Sequence, residues 1–447
     1  MSDKDTARRA LPVIAFNGVD ITESIQRYLV SMTYTDNEED QSDDLQIKLH
    51  DRDGLWLEKW LNDAIEAAAA TPGPTSTADT YKVTADIGLN IRSGPGSSNS
   101  KLGAFAYGAV VQVESIDDGW AKITYSGKKA YVSAQYIEKV ASGNAAEMVQ
   151  SANSSDFFIQ AVILRENWKG DGKDIVLDCG QFQLDAVTVS GPPSSIAIEG
   201  VALPFGAGVR QTKRNRAWES CLLSDVADKM AKSGGMVCVY ESEKDPFYQR
   251  IEQTETEDIE FLSRLCHDAA LSLKVTNNII VIFDPSVFEA KPPVLEIERG
   301  SGSYSSYRLS TGQADRKYSS CRVRYTEPTT GRMIEAIAYT EGYKANGKDN
   351  LQLEVNAKVG SRAEAESLAA SRLKLKNKYR TISEFTVPGN PDLVAGVTVT
   401  LTKWGPWSGK RIISQASHTV GNSGYTTSIK LRHVDDPPPK SADPSKK

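Results

Sequence analysis

The chain has 447 residues, 40% of them hydrophobic, enough for two to four domains that each bury a core of their own. Its 52 Lys and Arg stand against 58 Asp and Glu, a net charge of −6 at pH 7. That mildly acidic balance argues against a protein whose main task is to grip nucleic acid through phosphates. No apolar run approaches a membrane span and the opening MSDKDTARRA has no signal-peptide core, so folding in a cytoplasm is expected. Cys179, Cys221, Cys238, Cys266 and Cys321 are scattered singly with no CxxC pair, the pattern of reduced, buried thiols.

The first periodic segment, LPVIAFNGVDIT, places a tight turn at Asn17-Gly18 between two short strands. Met32 and Tyr34 alternate with Ser31 and Thr33, an acidic loop follows, and Leu45, Ile47 and Leu49 mark a return strand. Asp51-Arg52-Asp53-Gly54 ends that strand, and Leu55 to Ala70 read as a short helix. TPGPTSTADT, Thr71 to Thr80, is then a linker without apolar periodicity. A β-patterned unit follows and closes in a second polar linker, ASGNAAEMVQSANSS. A self-contained unit between two linkers has the signature of an inserted domain.

β alternation resumes after the insert, with Phe158, Gln160 and Val162 against Phe157, Ile159 and Ala161, a strand buried on both faces. IVLDCGQFQLDAVTVSGPPSSIAIEG continues in the same style. From Arg216 a helix is expected, because Trp218, Leu222, Val226 and Met230 fall at i, i+4 spacing before Gly234-Gly235. MVCVY is a short buried strand. Thr254 and Glu257 read as a capping box for a second helix, whose stripe is Ile259, Leu262, Cys266, Ala269 and Leu273. Farther on, Cys321, Val323 and Tyr325 alternate with Arg322 and Arg324, and Ser361 to Tyr379 reads as a helix crossing over a barrel. In VTVTLT, Val397, Val399 and Leu401 share one face and Thr398, Thr400 and Thr402 the other. Turn clusters at Pro388-Gly389-Asn390-Pro391 and Gly421-Asn422-Ser423-Gly424 complete an antiparallel barrel. DDPPPKSADPSKK is a disordered tail.

Chemistry-bearing constellations are missing. The four His are not spaced for zinc, and Cys266-His267 sits on an amphipathic helix where neighbouring side chains diverge by about 100°. Asp51 and Asp53 are turn chemistry, and Ser93-Gly94-Pro95-Gly96 lacks the Lys-Ser/Thr of a phosphate loop. No catalytic residue, cofactor or metal ligand is expected, and the chain reads as a non-enzyme.

Two resemblances organise the chain. Leu89-Asn90-Ile91-Arg92-Ser93-Gly94-Pro95-Gly96, Gly119-Trp120-Ala121-Lys122-Ile123 and Ala130-Tyr131-Val132 resemble the bacterial SH3-like family in its usual order. The PGNP turn, the Trp/Gly loop and the closing GYTTSIKLR resemble the last domain of phage baseplate hubs of the late control gene D type. The opening residues resemble that family's first tube-forming domain. The string DPFYQRIEQTETEDIEFLSRLCHDAALSLKV resembles the helix shared by phage hubs and the hub half of type VI secretion spikes.

The resemblance implies a mainly β, multidomain α+β chain: two tube-forming β-barrel domains, a small α+β domain and an inserted SH3-like barrel. The first barrel takes residues 1–73 and 141–205, the insert 78–140, the α+β domain 206–300, the second barrel 301–434 with crossover helix 361–379, and the tail 435–447. It further implies a ring of three chains, a homotrimer joining the hexameric tail tube to the trimeric spike and continuing its lumen. The setting is the tail baseplate of a virion, tailocin or other contractile injection system, assembled in the host cytoplasm. Tail tube, spike, other baseplate and tape measure proteins are the implied partners, with no specific nucleic acid and no membrane span. In the insert, Tyr81, Arg92, Tyr107, Asp118, Trp120, Tyr125 and Tyr131 are candidates for a wall-peptide groove, since the SH3-like family often binds peptidoglycan. The alternatives are that Trp120 and Tyr131 are core and the insert is positional. Arg322, Arg324, Trp404 and Trp407 are candidates for interface or lumen contacts, the alternative for the two tryptophans being that at least one caps the barrel core. The rival readings are a cell-wall-binding adaptor or tail-associated lysin component acting through the insert, and a type VI spike. The first calls for a catalytic domain, and the second for a long needle after the second barrel.

Overall fold

The computed structural model describes residues 9–16, 19–52, 54, 79–85, 89–105, 110–125, 128–139, 158–168, 174–202, 212–276, 279–311, 318–327, 331–340, 343–344, 350–378 and 381–434. The Asn17-Gly18 turn, the helix expected at 55–70, the second linker and the tail lie outside these residues, as does the first linker up to residue 78; its last two residues, Asp79 and Thr80, belong to a strand.

The chain opens with β1 (Arg9–Phe16), β2 (Val19–Asp20), α1 (Thr22–Gln26), β3 (Leu29–Asn37) and β4 (Asp44–His50). The insert follows as β5 (Asp79–Val83), β6 (Leu89–Arg92), β7 (Lys101–Phe105), β8 (Val110–Asp117), β9 (Trp120–Tyr125), β10 (Lys128–Ser133) and β11 (Ile137–Lys139). These strands form their own seven-stranded sheet, β11-β5-β8-β9-β10-β6-β7, around Val83, Leu89, Ile91, Val111, Val113, Ile123 and Val132. β12 (Phe158–Glu166), β13 (Ile175–Ser190) and β14 (Ser195–Val201) then rejoin the sheet of β1 to β4.

Next come β15 (Arg214–Leu222), α2 (Leu223–Ser233), β16 (Val237–Glu241), β17 (Phe247–Thr256), α3 (Asp258–Asp268), β18 (Ser272–Thr276), β19 (Ile279–Phe283) and α4 (Pro285–Ala290). The two helices pack on the three-stranded sheet β16-β19-β18 through Val226, Met230, Phe261, Leu262 and Cys266. The helix expected from Arg216 begins instead at Leu223, and Trp218 and Leu222 lie on β15. Spacing of four satisfies period two as well as period 3.6, and pairing with β17 decides for the strand. Thr254 belongs to β17 and Glu257 is the N-cap of α3, with no side-chain cap bond, so the capping box is not formed.

The last part contains β20 (Leu295–Glu298), β21 (Ser306–Ser310), β22 (Tyr318–Thr326), β23 (Met333–Tyr339), β24 (Leu351–Asn356), α5 (Arg362–Lys378), β25 (Ile382–Pro388), β26 (Thr398–Thr402), β27 (Gly409–Gly421) and β28 (Gly424–His433). Two boundaries differ from expectation. β20 pairs with β26, so Leu295–Glu298 belongs to the second barrel. β22, β23 and β24 form a separate three-stranded sheet against α5, joined by Cys321, Val323, Ile334, Ala336, Leu368, Ala369 and Leu373. The alternation of CRVRY is therefore satisfied by a helix, and α5 caps that small sheet rather than crossing a barrel.

The remaining strands make one sheet of thirteen, β2-β1-β12-β13-β14-β4-β3-β27-β28-β25-β21, with β26 on β27 and β20 on β26. Leaving β2 aside, the N-terminal half uses β1, β3, β4, β12, β13 and β14, and the C-terminal half β20, β21, β25, β26, β27 and β28. In both halves the spatial order is first, fourth, fifth, sixth, third, second, and the directions agree except at the first strand, antiparallel to its neighbour in β1–β12 and parallel in β20–β26. The halves join where β3 pairs antiparallel with β27, from Ser31 opposite Gly421 to Asn37 opposite Gln415. Their cores interpenetrate: Val420 and Tyr425 pack with Ile14, Met32, Tyr34, Ile47, Ile159 and Phe182.

Gly421 marks the tightest approach of the two halves. A Cβ there would lie 2.2 Å from the Val30 carbonyl oxygen and 2.8 Å from the Ser31 Cα. Backbone cannot yield as a side-chain tip does, so Gly421→Ala should destabilise the chain by about 1–3 kcal/mol, the usual cost of overpacking. Denaturant unfolding of the variant measures this; an unchanged midpoint would show that the seam has slack.

Candidate functional site

Strand alternation gives the joined sheet two faces, and the one away from the cores is polar. Where the halves meet, it carries hydroxyls on strand after strand. Thr35 lies opposite Ser417, Ser417 opposite Ser428, Ser428 opposite Thr386, and Thr386 opposite Ser306. A parallel row runs from Gln46 through Thr33 and Thr419 to Thr426. The hydroxyls bond across strands: Thr33 and Thr419 are 3.0 Å apart, and Thr386 and Ser428 3.1 Å. These hydroxyls satisfy one another, and a charged row lies beside them on the same face, with Arg308 opposite Glu384 and Glu384 opposite Lys430. The face crosses from one barrel to the other without a step.

Beside the seam, the acidic segment read from sequence as a loop is buried. Asp36, Glu38, Glu39 and Asp43 are each less than 9% exposed. Each meets a partner from elsewhere in the chain. Arg432 of β28 grips Glu38 with two bonds of 2.7 and 2.5 Å and reaches Glu289 of α4 at 2.8 Å. Lys274 of β18 pairs with Asp36 and with Asp43 at 3.4 Å. Lys378 of α5 and the Ser272 hydroxyl both bind Glu39. His267 lies 2.9 Å from Asp40 and is raised above its ordinary pKa, chiefly by that hydrogen bond. Burial lifts Asp43 to about 6, against the pull of Lys274. Burial would lower Lys274, but Asp43 and Asp36 outweigh it and hold its pKa up. The junction thus ties first barrel, second barrel, α+β unit and α5 at one place. The sequence signal was the acidic run itself, DNEEDQSDD, whose cations lie more than 200 residues away.

His418, on β27, is fully buried in the seam and stacks on Tyr34, with ring centroids 6.2 Å apart. Its Nε2 faces the Leu393 carbonyl at 3.1 Å, so that nitrogen carries the proton and Nδ1 accepts from the Tyr425 hydroxyl at 2.8 Å. Burial lowers the imidazole to about 4.

The insert divides its candidate residues between two faces. Arg92 lies opposite Tyr131, and Tyr131 opposite Lys122, on the face away from the core. Trp120 is two residues along β9 from Lys122, and Asp118 is exposed in the turn just before it. These are brought together. Tyr81 and Tyr125 point the other way and pack against the insert's core. Tyr125 also packs against Val13, Val162, Leu164 and Val176 of the first barrel, which explains why β12 is buried on both faces. Neither belongs to an open groove, because the alternation of β5 and β9 turns them inward. Tyr107 lies outside the described residues.

The candidates in the C-terminal half are also redistributed. Arg322 pairs with Glu335 at 2.9 Å and Glu354 at 3.9 Å, and Arg324 approaches Glu335 at 3.7 Å, all on the small sheet. Their charges are met there, away from the hydroxyl face. Trp404 is buried, donates its Nε1–H to the Ile297 carbonyl at 2.9 Å and packs with Tyr304, Tyr307 and Phe385. It is core, not an exposed contact, and half-buried Trp407 packs against the same cluster. All five cysteines are free, four of them buried. Among the described residues, no group of His, Cys, Asp and Glu is arranged to hold a metal, and no helix is long and apolar enough to cross a membrane.

Comparison with known proteins fits this geometry. The bacterial SH3 domain family matches residues 87–138. A probable baseplate hub protein of Escherichia phage 186 is 20% identical over 307 residues, covering 59% of this chain and 77% of that protein. The putative N-acetylmuramoyl-L-alanine amidase YrvJ of Bacillus subtilis (strain 168) is 32% identical over 108 residues, 24% of this chain but only 20% of the amidase. Among solved structures, a tail protein from Neisseria meningitidis MC58 shares the fold with a TM-score of 0.56 at 10% identity, over 95% of this chain and 97% of that one.

His418 makes the seam sensitive to acid. Its folded pKa lies below the unfolded value of 6.5, so its contribution is intact above pH 6.5 and is lost as pH falls toward 4. The loss amounts to about 3 kcal/mol. Asp43, raised rather than lowered, acts in the opposite sense as pH falls through 6. The comparison of wild type with His418→Gln isolates the imidazole: the stability gap should shrink by about 3 kcal/mol between pH 7 and pH 4. A gap independent of pH would mean that the buried ring accepts a proton while folded.

Proposed function

We infer that this chain, a homologue of phage baseplate hub proteins carrying a bacterial SH3 domain in its first barrel, is the structural hub of a contractile tail. The observation that carries this reading is the repeated six-strand barrel joined through one sheet, whose hydroxyl face continues unbroken from half to half. A hub must offer like surfaces in succession to a tube built of like subunits, and a chain with two barrels of one strand order does so twice. Three such chains would present six barrels to the tube and keep threefold symmetry for a spike. The hydroxyl face is the channel lining in this reading. Its hydroxyl rows bond one another, with Arg308, Glu384 and Lys430 side by side next to them, so a passing polymer meets hydrogen-bonding groups that are already partnered. The role is geometric and needs no turnover. Its partners are tail tube and spike proteins, and its place is the baseplate of the particle.

Ser417 lies in the middle of that face, between Thr35 and Ser428. Ser417→Trp should leave particles assembled and contractile while blocking passage through the tail. Imaging for assembly and a delivery or killing assay on the same preparation check this, and undiminished passage would show that the face does not line the channel.

For the insert we favour a wall-peptide site on the outer face formed by Arg92, Tyr131, Trp120 and Asp118. An aromatic pair flanked by one charge of each sign suits a short peptide with both amino and carboxyl groups. The full chain should co-sediment with purified peptidoglycan, and Trp120→Ala should abolish the association. Absence of pelleting by the unaltered chain would leave the insert a spacer against neighbouring proteins.

A further inference from the structure

Among the described residues four Arg and Lys side chains are buried, and three of them are matched. Arg432 holds Glu38 and Glu289, Lys378 holds Glu39, and Arg411 bonds the His433 ring and the Trp407 carbonyl. Arg165 is the exception. It is 7% exposed, its Nε is buried with no hydrogen-bond partner, and among the described residues it makes no ion pair. A buried cation without a counter-charge is strongly disfavoured, so its presence here calls for a partner from outside the chain.

Strand alternation carries the guanidinium to this place. Arg165 follows Ile159, Ala161 and Ile163 on the core face of β12, between Ala10 of β1 and Ile175 of β13. It therefore closes the end of the first core with a charge. Just past β12, Asn167 takes a left-handed backbone conformation (φ 45°), and its amide donates to the Asp174 carboxylate at 3.2 Å. That reversal folds Trp168 back over the strand end, with its ring 4.1 Å from the Arg165 guanidinium. One face of the guanidinium is thus covered, while its N–H edge has no acceptor. Burial lowers the pKa of Arg165, and the fields of Tyr425 and Asp392, both from the second half, only partly offset it.

We propose that Arg165 and Trp168 form a receptor for one carboxylate group, which accepts from the N–H edge of the guanidinium while the indole covers its face. A carboxylate matches that planar fork. Its single charge also suits a single cation. A doubly charged phosphate would meet the field of Asp392 and find the neighbouring Arg9 already taken by Glu166 at 3.0 Å. The site lies beside Tyr425, which fills the first core and donates to His418 in the seam, so occupation of the site adds to the stability of the joint. The inference stands independently of the hub reading.

Thermal unfolding of the full chain tests it, with acetate as the probe and chloride at equal ionic strength as the reference. Acetate at about ten times its dissociation constant should raise the wild-type midpoint by about 2–4 °C over chloride. Arg165→Met keeps the stem and removes the charge, so it should erase that shift. In chloride the same variant should unfold at or above the wild-type midpoint, because no partner is lost. Trp168→Leu, with the charge kept, should weaken the acetate response severalfold. N-acetyl-trialanine should bind more tightly than acetate if the natural carboxylate ends a protein chain, and equally if it is a free small acid; its amide should do nothing. Equal acetate shifts in wild type and Arg165→Met, or an active amide, would overturn the site. A larger shift with inorganic phosphate than with acetate would overturn the carboxylate assignment. Destabilisation of Arg165→Met in chloride would show that the guanidinium is already partnered within the fold, and the proposal would fall.

Discussion

The antiparallel ladder between β3 and β27 is the contact on which the rest of this molecule depends. Without it, the sheet would be two separate barrels with no fixed angle between them. With it, the hydroxyl rows run on from one half to the other, and the first core is completed by Val420 and Tyr425 from the second half. The halves are therefore not domains that happen to touch. Each lends the other part of its interior, and so the path of the outer face across the joint is set by packing rather than by a flexible connection.

Charge placement reinforces that joint. A buried carboxylate costs several kcal/mol unless it is paired and hydrogen-bonded. Here four carboxylates from one short segment are held by Arg432, Lys274 and Lys378, which come from three other parts of the chain. The fork of Arg432 on Glu38 allows one approach geometry, and the third nitrogen fixes Glu289 as well. Burial pulls this guanidinium down, but Glu38 and Glu289 more than restore it, so its pKa stands above the ordinary value. Such a network is poor value as simple stabilisation, since apolar packing does as well. Its use is specificity: the units fit together in the one arrangement that pairs every charge.

Much of this was legible in the sequence, and the failures share a cause. Local periodicity exposed the strands of both barrels, and the spacing of glycine, tryptophan and tyrosine exposed the insert. Trp218 and Leu222 were ambiguous because four-residue spacing serves helix and strand alike, and only pairing with β17 decides. The acidic run looked like a solvated turn because its cations are hundreds of residues away. Trp404 stood open between exposed contact and core cap, because a Trp/Gly loop does not reveal that Tyr304, Tyr307 and Phe385 close over it. Arg322 and Arg324 were placed on the correct strand but in the wrong sheet, since alternation gives a strand's faces and not its neighbours. The double use of one strand order was invisible to periodicity, because the insert and the small sheet with α5 interrupt the two copies at different connections.

The seam also orders events in time. Thr33 finds its hydroxyl partner 386 residues later, at Thr419, so the first barrel cannot finish until β27 has been made. Until β27 arrives, β3 is an open edge and the cavity filled by Val420 and Tyr425 is unfilled. Loop closure over such a span is slow, and the waiting half is the aggregation-prone species of this pathway. A chain broken off early therefore lacks more than its missing end: its N-terminal barrel is unfinished too. Completion of the first core waits on one distant strand.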